Sequence, residues 1–172
     1  TILAPLAYRV KSSIPIIAYQ FNPLDNEEVF SNDASLLLPS HVVGDEYLVM
    51  TREQSFDRLR GYLTVVGIND EPTNVSVTVS APTSSGPIGE VPALEAGETY
   101  TVTLNAFDVL SLQTGSPGAD LTGSLVTADK PIVVFGGSEA ANVPNTNQCI
   151  NIDPRSNQGV CEYDLETVCS DN

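Results

Sequence analysis

Val75, Val77 and Val79 alternate with Ser76, Thr78 and Ser80 without a slip. A period of two sends one set to one face of an extended strand and the other set to the opposite face. One apolar face and one hydroxyl-bearing face define a half-buried strand of an antiparallel sheet. Thr99 to Leu104 repeats the pattern, with Tyr100, Val102 and Leu104 set against Thr99, Thr101 and Thr103. Gly61 to Ile68 is rich in Tyr, Val, Thr and Leu, all good strand formers.

The same reading extends along the chain. Ile2 to Lys11 and Ile14 to Phe21 read as two extended runs, with Pro15 suiting a sheet edge or a strand start. Ser35 to Leu38, Glu46 to Thr51, Phe107 to Leu112, Leu121 to Thr127 and Lys130 to Phe135 read as further strands. Arg52 to Leu59 is polar and reads as a loop or one helical turn. Asn69-Asp70-Glu71-Pro72 predicts a hairpin turn between Gly61–Ile68 and Val75–Val79. Asn105-Ala106 predicts a tight turn into Phe107. Asp129-Lys130-Pro131 predicts a last hairpin, ended by a Gly136-Gly137 break. Ala81 to Glu98, rich in Pro, Gly and Ser, predicts a long loop with a short strand at Ile88 to Val91. Roughly ten short strands with no amphipathic helix predict an all-β fold, an antiparallel β-sandwich in preference to a barrel. The expected body is residues 1–144. An irregular, disulfide-bearing C-terminal tail is expected over residues 145–172.

Charge narrows the partners. The 172 residues carry 22 acids against 7 Lys plus Arg, a net charge of −15. Phosphate neutralisation needs a basic surface, so nucleic acid is excluded as a partner. Anionic membrane surfaces are disfavoured for the same reason. No apolar run is long enough to span a bilayer, so no membrane insertion is expected. The balance fits a secreted or cell-surface protein, cation binding or a salty habitat, with solubility through self-repulsion the simplest reading. Thr1 is the first residue, which predicts a processed or excised chain. The three cysteines, Cys149, Cys161 and Cys169, all fall in the tail, at a spacing unlike any Cys-x-x-Cys metal knuckle. Disulfide chemistry in an oxidising compartment is the expectation. Cys149 with Cys161 is the first pairing to test, leaving Cys169 for a partner outside the chain, and the spacing leaves connectivity open.

No active site emerges. His41 is the sole histidine, preceded by Ser40 and followed by Asp45. Adjacent side chains of an extended segment point to opposite faces, so Ser40 and His41 do not form a nucleophile–base pair. Gly-x-Ser-x-Gly is absent. Gly136-Gly137 lacks the spacing of a nucleotide loop and reads as a permissive bend. The chain is therefore expected to be no enzyme and to need no cofactor. Calcium is the one ion worth considering, with candidate ligands Asp25, Glu27, Asp33, Asp153 and Asp164. These acids lack the spacing of a calcium loop, and solvated acids are the simpler reading. Asn74-Val75-Ser76 is a glycosylation sequon, meaningful in a eukaryotic secretory host. Recognition is expected from loops 24–34, 81–98 and 113–120, carried on a rigid scaffold.

Three runs resemble one family. YRVKSSIPIIAYQFNPL from Tyr8, SNDASLLLP from Ser31 and EYLVMT from Glu46 are similar to the start of the IgGFc-binding protein N-terminal domain family. LTGSLVTADKPIVVFGGSEAANVP from Leu121 matches its order of a Leu-Thr-Gly turn, a short strand, an Asp-Lys-Pro turn and a Val-Phe-Gly-Gly ending. The wording is similar to bacterial members, especially myxobacterial secreted or lipid-anchored ones. The resemblance implies an extracellular, non-enzymatic binding or adhesion module for a protein or glycoprotein ligand. A structural or assembly subunit, associating with other copies through strand edges, is the alternative. Family members continue into a further cysteine-containing segment and another β region. This chain ends at Asn172 before them, so the resemblance implies a fragment or a missing second half.

Overall fold

The computed structural model describes residues 1–22 and 33–140. Ten strands run in order: β1 (Ile2–Pro5), β2 (Tyr19–Asn22), β3 (Asp33–Leu36), β4 (Glu46–Leu48), β5 (Gly61–Gly67), β6 (Thr73–Thr78), β7 (Thr99–Leu104), β8 (Asp108–Gln113), β9 (Leu125–Ala128) and β10 (Ile132–Ser138). Among the described residues there is no helix, and every strand pairing is antiparallel. One sheet has the order β1-β8-β5-β10 and a second has the order β4-β9-β6-β7. β2 and β3 form a separate two-stranded hairpin.

The alternation in the sequence decides what lies between the sheets. Leu63 and Val65 of β5, Leu110 and Leu112 of β8 and Ile132 of β10 are fully buried on one sheet. Val75 and Val77 of β6, Leu104 of β7 and Val126 of β9 are fully buried on the other. All belong to a single apolar cluster, so the two sheets form an antiparallel sandwich around one core. The opposite face of β6 carries hydroxyls that pair across strands. Thr78 Oγ1 lies 2.8 Å from Thr99 Oγ1, and Ser76 Oγ lies 3.3 Å from Thr101 Oγ1.

The expected hairpins are instead arches. β5 lies in the first sheet and β6 in the second, so Asn69–Pro72 carries the chain across the core. β7 to β8 and β9 to β10 cross in the same way. None of 68–72 or 129–131 has positive φ, so neither segment forms the left-handed two-residue turn that closes the tightest hairpins. Pro72 and Pro131 also lack the N–H that a ladder would use. At the β7–β8 arch Phe107 does adopt φ 73°. Its strained turn is held by Phe107 N–H donating to Gly67 O at 2.8 Å and by the Arg9 guanidinium 5.1 Å above its ring.

Two further expectations change, and an open alternative is decided. Residues 6–18 are not strand, although Ile2 to Phe21 read as two extended runs. They touch the body at Ala7 N–H to Phe107 O, 3.1 Å, and leave Tyr8 97 % exposed. Gly136-Gly137 does not break β10, which runs through both to Ser138. A Cβ at Gly136 would stand 2.1 Å from the Met50 carbonyl oxygen, and one at Gly137 would stand 2.6 Å from the Tyr62 hydroxyl. These glycines answer close approach, not a bend. Arg52 to Leu59 is loop without a helical turn, pinned by Gln54.

Gln54 is a polar residue that is 1 % exposed. Its Nε2 donates to Phe56 O at 2.7 Å, and its Oε1 accepts from the Thr114 hydroxyl. Thr114 Oγ1 in turn accepts from Gly61 N–H at 3.0 Å. Gln54→Ala is expected to lower stability by about 2 kcal/mol, because buried Thr114 and Phe56 O lose their partner. A urea titration checks it, and a loss within ±0.5 kcal/mol, the range of ordinary surface substitutions, would contradict the role given to this network.

Candidate functional site

Two of the three loops expected to present recognition groups are built into the body. In loop 81–98, Thr83 N–H donates to Leu94 O at 2.9 Å, Leu94 N–H donates to Thr83 Oγ1 at 3.1 Å, and Val91 and Leu94 enter the core. The short strand expected at Ile88–Val91 is reduced to single bridges, Ile2 with Ile88 and Gly86 with Val91. Glu90, Glu95 and Glu98 remain exposed on this loop. In loop 113–120, Thr114 is buried and Gly118 N–H donates to Gln54 O at 2.9 Å. Residues 24–32 of the third loop lie outside the described residues.

Among the described residues, those weighed for chemistry are not brought together. Ser40 and His41 sit in a turn, not an extended segment, with Val42 N–H donating to Pro39 O at 3.1 Å. Among the described residues no side-chain hydrogen bond joins Ser40, His41 and Asp45. Asp33 begins β3. Asp25, Glu27, Asp153, Asp164, Cys149, Cys161 and Cys169 lie outside the described residues. Among the described residues no three His, Cys, Asp or Glu side chains group as metal ligands. The sequon residue Asn74 is exposed but engaged: Nδ2 donates to Asp129 Oδ2 at 2.8 Å, and Oδ1 accepts from Thr103 Oγ1 at 2.9 Å.

Two carboxyls of the β9 flanks are held below the usual carboxylate range. For Asp129 the Asn74 backbone N–H and side-chain amide are the causes. For Asp120, burial pushes the pKa up, and hydrogen bonds from Thr122 and Thr51 outweigh it. A depressed folded pKa stabilises above the unfolded value, about 3.9 for Asp, and that stability disappears as pH falls through the folded pKa. Melting temperature should therefore fall on acidification below about pH 4, and Asp129→Ala should flatten that fall. An unchanged slope in the variant would contradict the role given to Asp129.

A groove at one side of the sandwich was missed by sequence reasoning. It encloses about 330 Å³ between residues 35–38, residues 42–47 and Val133–Phe135 of β10. β10 is an edge strand, bonded on one side to β5. On its other side Ile132 N–H donates to Gly44 O at 2.9 Å, and Ile132 O accepts from the Tyr47 hydroxyl at 2.9 Å. Backbone groups alternate in direction along an antiparallel strand, so Val134 and Gly136 point to that same outer side. Among the described residues their outward N–H and C=O groups have no partner. Leu36, Leu38 and Val42 line the groove and are 55–64 % exposed. On β2, Tyr19 pairs with Leu36 and Phe21 with Ala34, extending an apolar face across the hairpin. No local pattern marks this groove, because its walls come from segments almost a hundred residues apart.

The arrangement defines an acidic, antiparallel β-sandwich module with an apolar groove beside an open strand edge. A family model described as IgGFc binding protein matches residues 33–159. The chain belongs to the IgGFc-binding protein family. Searches of curated proteins and of solved structures returned no match to it. Among the described residues, no helix is long and apolar enough to cross a membrane.

Proposed function

We propose that the chain is a non-enzymatic binding or adhesion module of a secreted or cell-surface protein, recognising a protein or glycoprotein ligand. The observation that carries this reading is the apolar face of the β2–β3 hairpin. Tyr19, Phe21, Leu36 and Leu38 are all more than half exposed on a chain of net charge −15. A contiguous apolar patch on a soluble domain marks an interaction surface. Membership of a family described by a binding activity supports the same reading. The motif wording resembles that of bacterial, myxobacterial-like members, whose ligand need not be immunoglobulin. A β-sandwich body of residues 1–144 and a disulfide-bearing tail of residues 145–172 complete the proposal, with no cofactor required.

A panel of purified extracellular proteins and glycoproteins, read by interferometry on the immobilised full chain, tests it. Saturable binding to at least one member is expected. The second reading, an assembly subunit joining other copies through strand edges, is favoured by the open edge of β10. A panel without binders, together with concentration-dependent oligomers on gel filtration, would replace the first reading by the second.

A further inference from the structure

We propose that the groove beside β10 binds an extended, cationic-apolar peptide segment of a partner protein, which adds as a strand to the open edge of β10. This rests on the binding reading above and gives it a site and a partner chemistry. The edge supplies the backbone ladder. Val134 and Gly136 each offer an outward N–H and C=O that lack partners among the described residues. The Ile132 bonds to Gly44 and to the Tyr47 hydroxyl close the strand's near end, so an incoming strand starts its ladder at Val134. Main-chain bonds of this kind provide affinity, and pockets for alternate side chains provide specificity.

The walls supply those pockets. Leu36, Leu38 and Val42 give an exposed apolar lining opposite the edge, and the space of about 330 Å³ suits a few side chains of an extended segment. Charge chooses the segment. Glu46 lines the groove, Asp45 lies in sequence between the lining residues Gly44 and Glu46, and both are exposed, on a chain with three times as many acids as bases. A strand has period two, so apolar residues would fill the groove while intervening Lys or Arg residues meet the acidic rim. A second copy fits less well, because it brings another strongly negative body to the same rim.

The probe is a labelled, acetylated and amidated peptide of alternating Val and Lys, titrated onto the full chain by fluorescence anisotropy. Its alternating Val and Glu counterpart serves as control. The Val–Lys peptide should bind saturably and more weakly at high salt, and the Val–Glu peptide should not bind. Val134→Pro removes an outward N–H without touching the β5 ladder and should abolish binding. The double variant Asp45→Lys with Glu46→Lys should weaken Val–Lys binding by about tenfold or more and admit the Val–Glu peptide. It involves two exposed side chains, so it keeps the test decisive if Val134→Pro fails to fold. Unchanged affinity in the double variant, or no binding of the Val–Lys peptide, overturns the proposal. A dimer of the free chain that Val134→Pro dissolves also overturns it, by showing a second copy in the groove. A panel ligand that binds both variants as tightly as the parent would sink this site while leaving the binding reading intact.

Discussion

Leu63→Ala is expected to cost about 3 kcal/mol of folding stability and about 10 °C in melting temperature. Leu63 is fully buried on β5, a central strand of its sheet. Its register partners are Leu112 on β8 and Gly136 on β10. Truncation removes buried methyl groups and leaves a cavity, because neighbours on two flanking strands hold their positions. Chemical denaturation with an unchanged m-value would measure the loss. A cost below about 1 kcal/mol would mean that β5 does not lie at the centre of the core.

Gly136→Ala is expected to cost about 3 kcal/mol through the opposite fault, overpacking. The added Cβ would meet the Met50 carbonyl oxygen at 2.1 Å and Val49 Cγ1 at 3.0 Å. The Val49–Thr51 segment cannot easily lift away. Val49 N–H donates to Ser124 O at 2.9 Å, Gly123 N–H donates to Val49 O at 2.8 Å, and Thr51 N–H donates to Thr122 Oγ1 at 3.1 Å. Relief therefore means breaking those bonds or displacing β10 from its ladder. Gly44→Ala is the control, since a Cβ there meets nothing within 4 Å. It should stay within about ±0.5 kcal/mol. Equal stability of the two variants would show that the Met50 carbonyl does not cross β10.

Period two made strand positions legible because it reports burial directly. Leu63, Val65, Val75 and Val77 are buried as their alternation requires. Alternation says which face of a strand is buried, and it is silent on the neighbouring strand. β5 and β6 satisfy the same pattern as hairpin partners or as opposite walls of a sandwich, so the arches stayed hidden. Turn chemistry did not settle it either: Asn69, Asp70 and Asp129 all suit a left-handed turn, yet none of them adopts positive φ.

Gln54 escaped notice for a related reason. A polar residue in a polar stretch reads as solvated, and its burial depends on Thr114, sixty positions away. Gly136 and Gly137 read in the sequence as a permissive bend, whereas the fold uses their small size. Their crowding comes from Met50 and Tyr62, which no local pattern connects to them. The groove is the extreme case, since its character appears only once residues 35–47 lie beside β10. The acidic balance, by contrast, was legible at once and limits which partners the groove can accept.

Native mass spectrometry of the full chain, incubated with a ligand captured from the extracellular panel, tests the binding account most directly. The account predicts a complex whose mass is the sum of one chain and one intact ligand, with the ligand's mass unchanged after prolonged incubation. Cleaved or modified ligand would reveal chemistry that the account denies. A spectrum containing oligomers of the chain and no ligand complex would contradict it in favour of an assembly subunit.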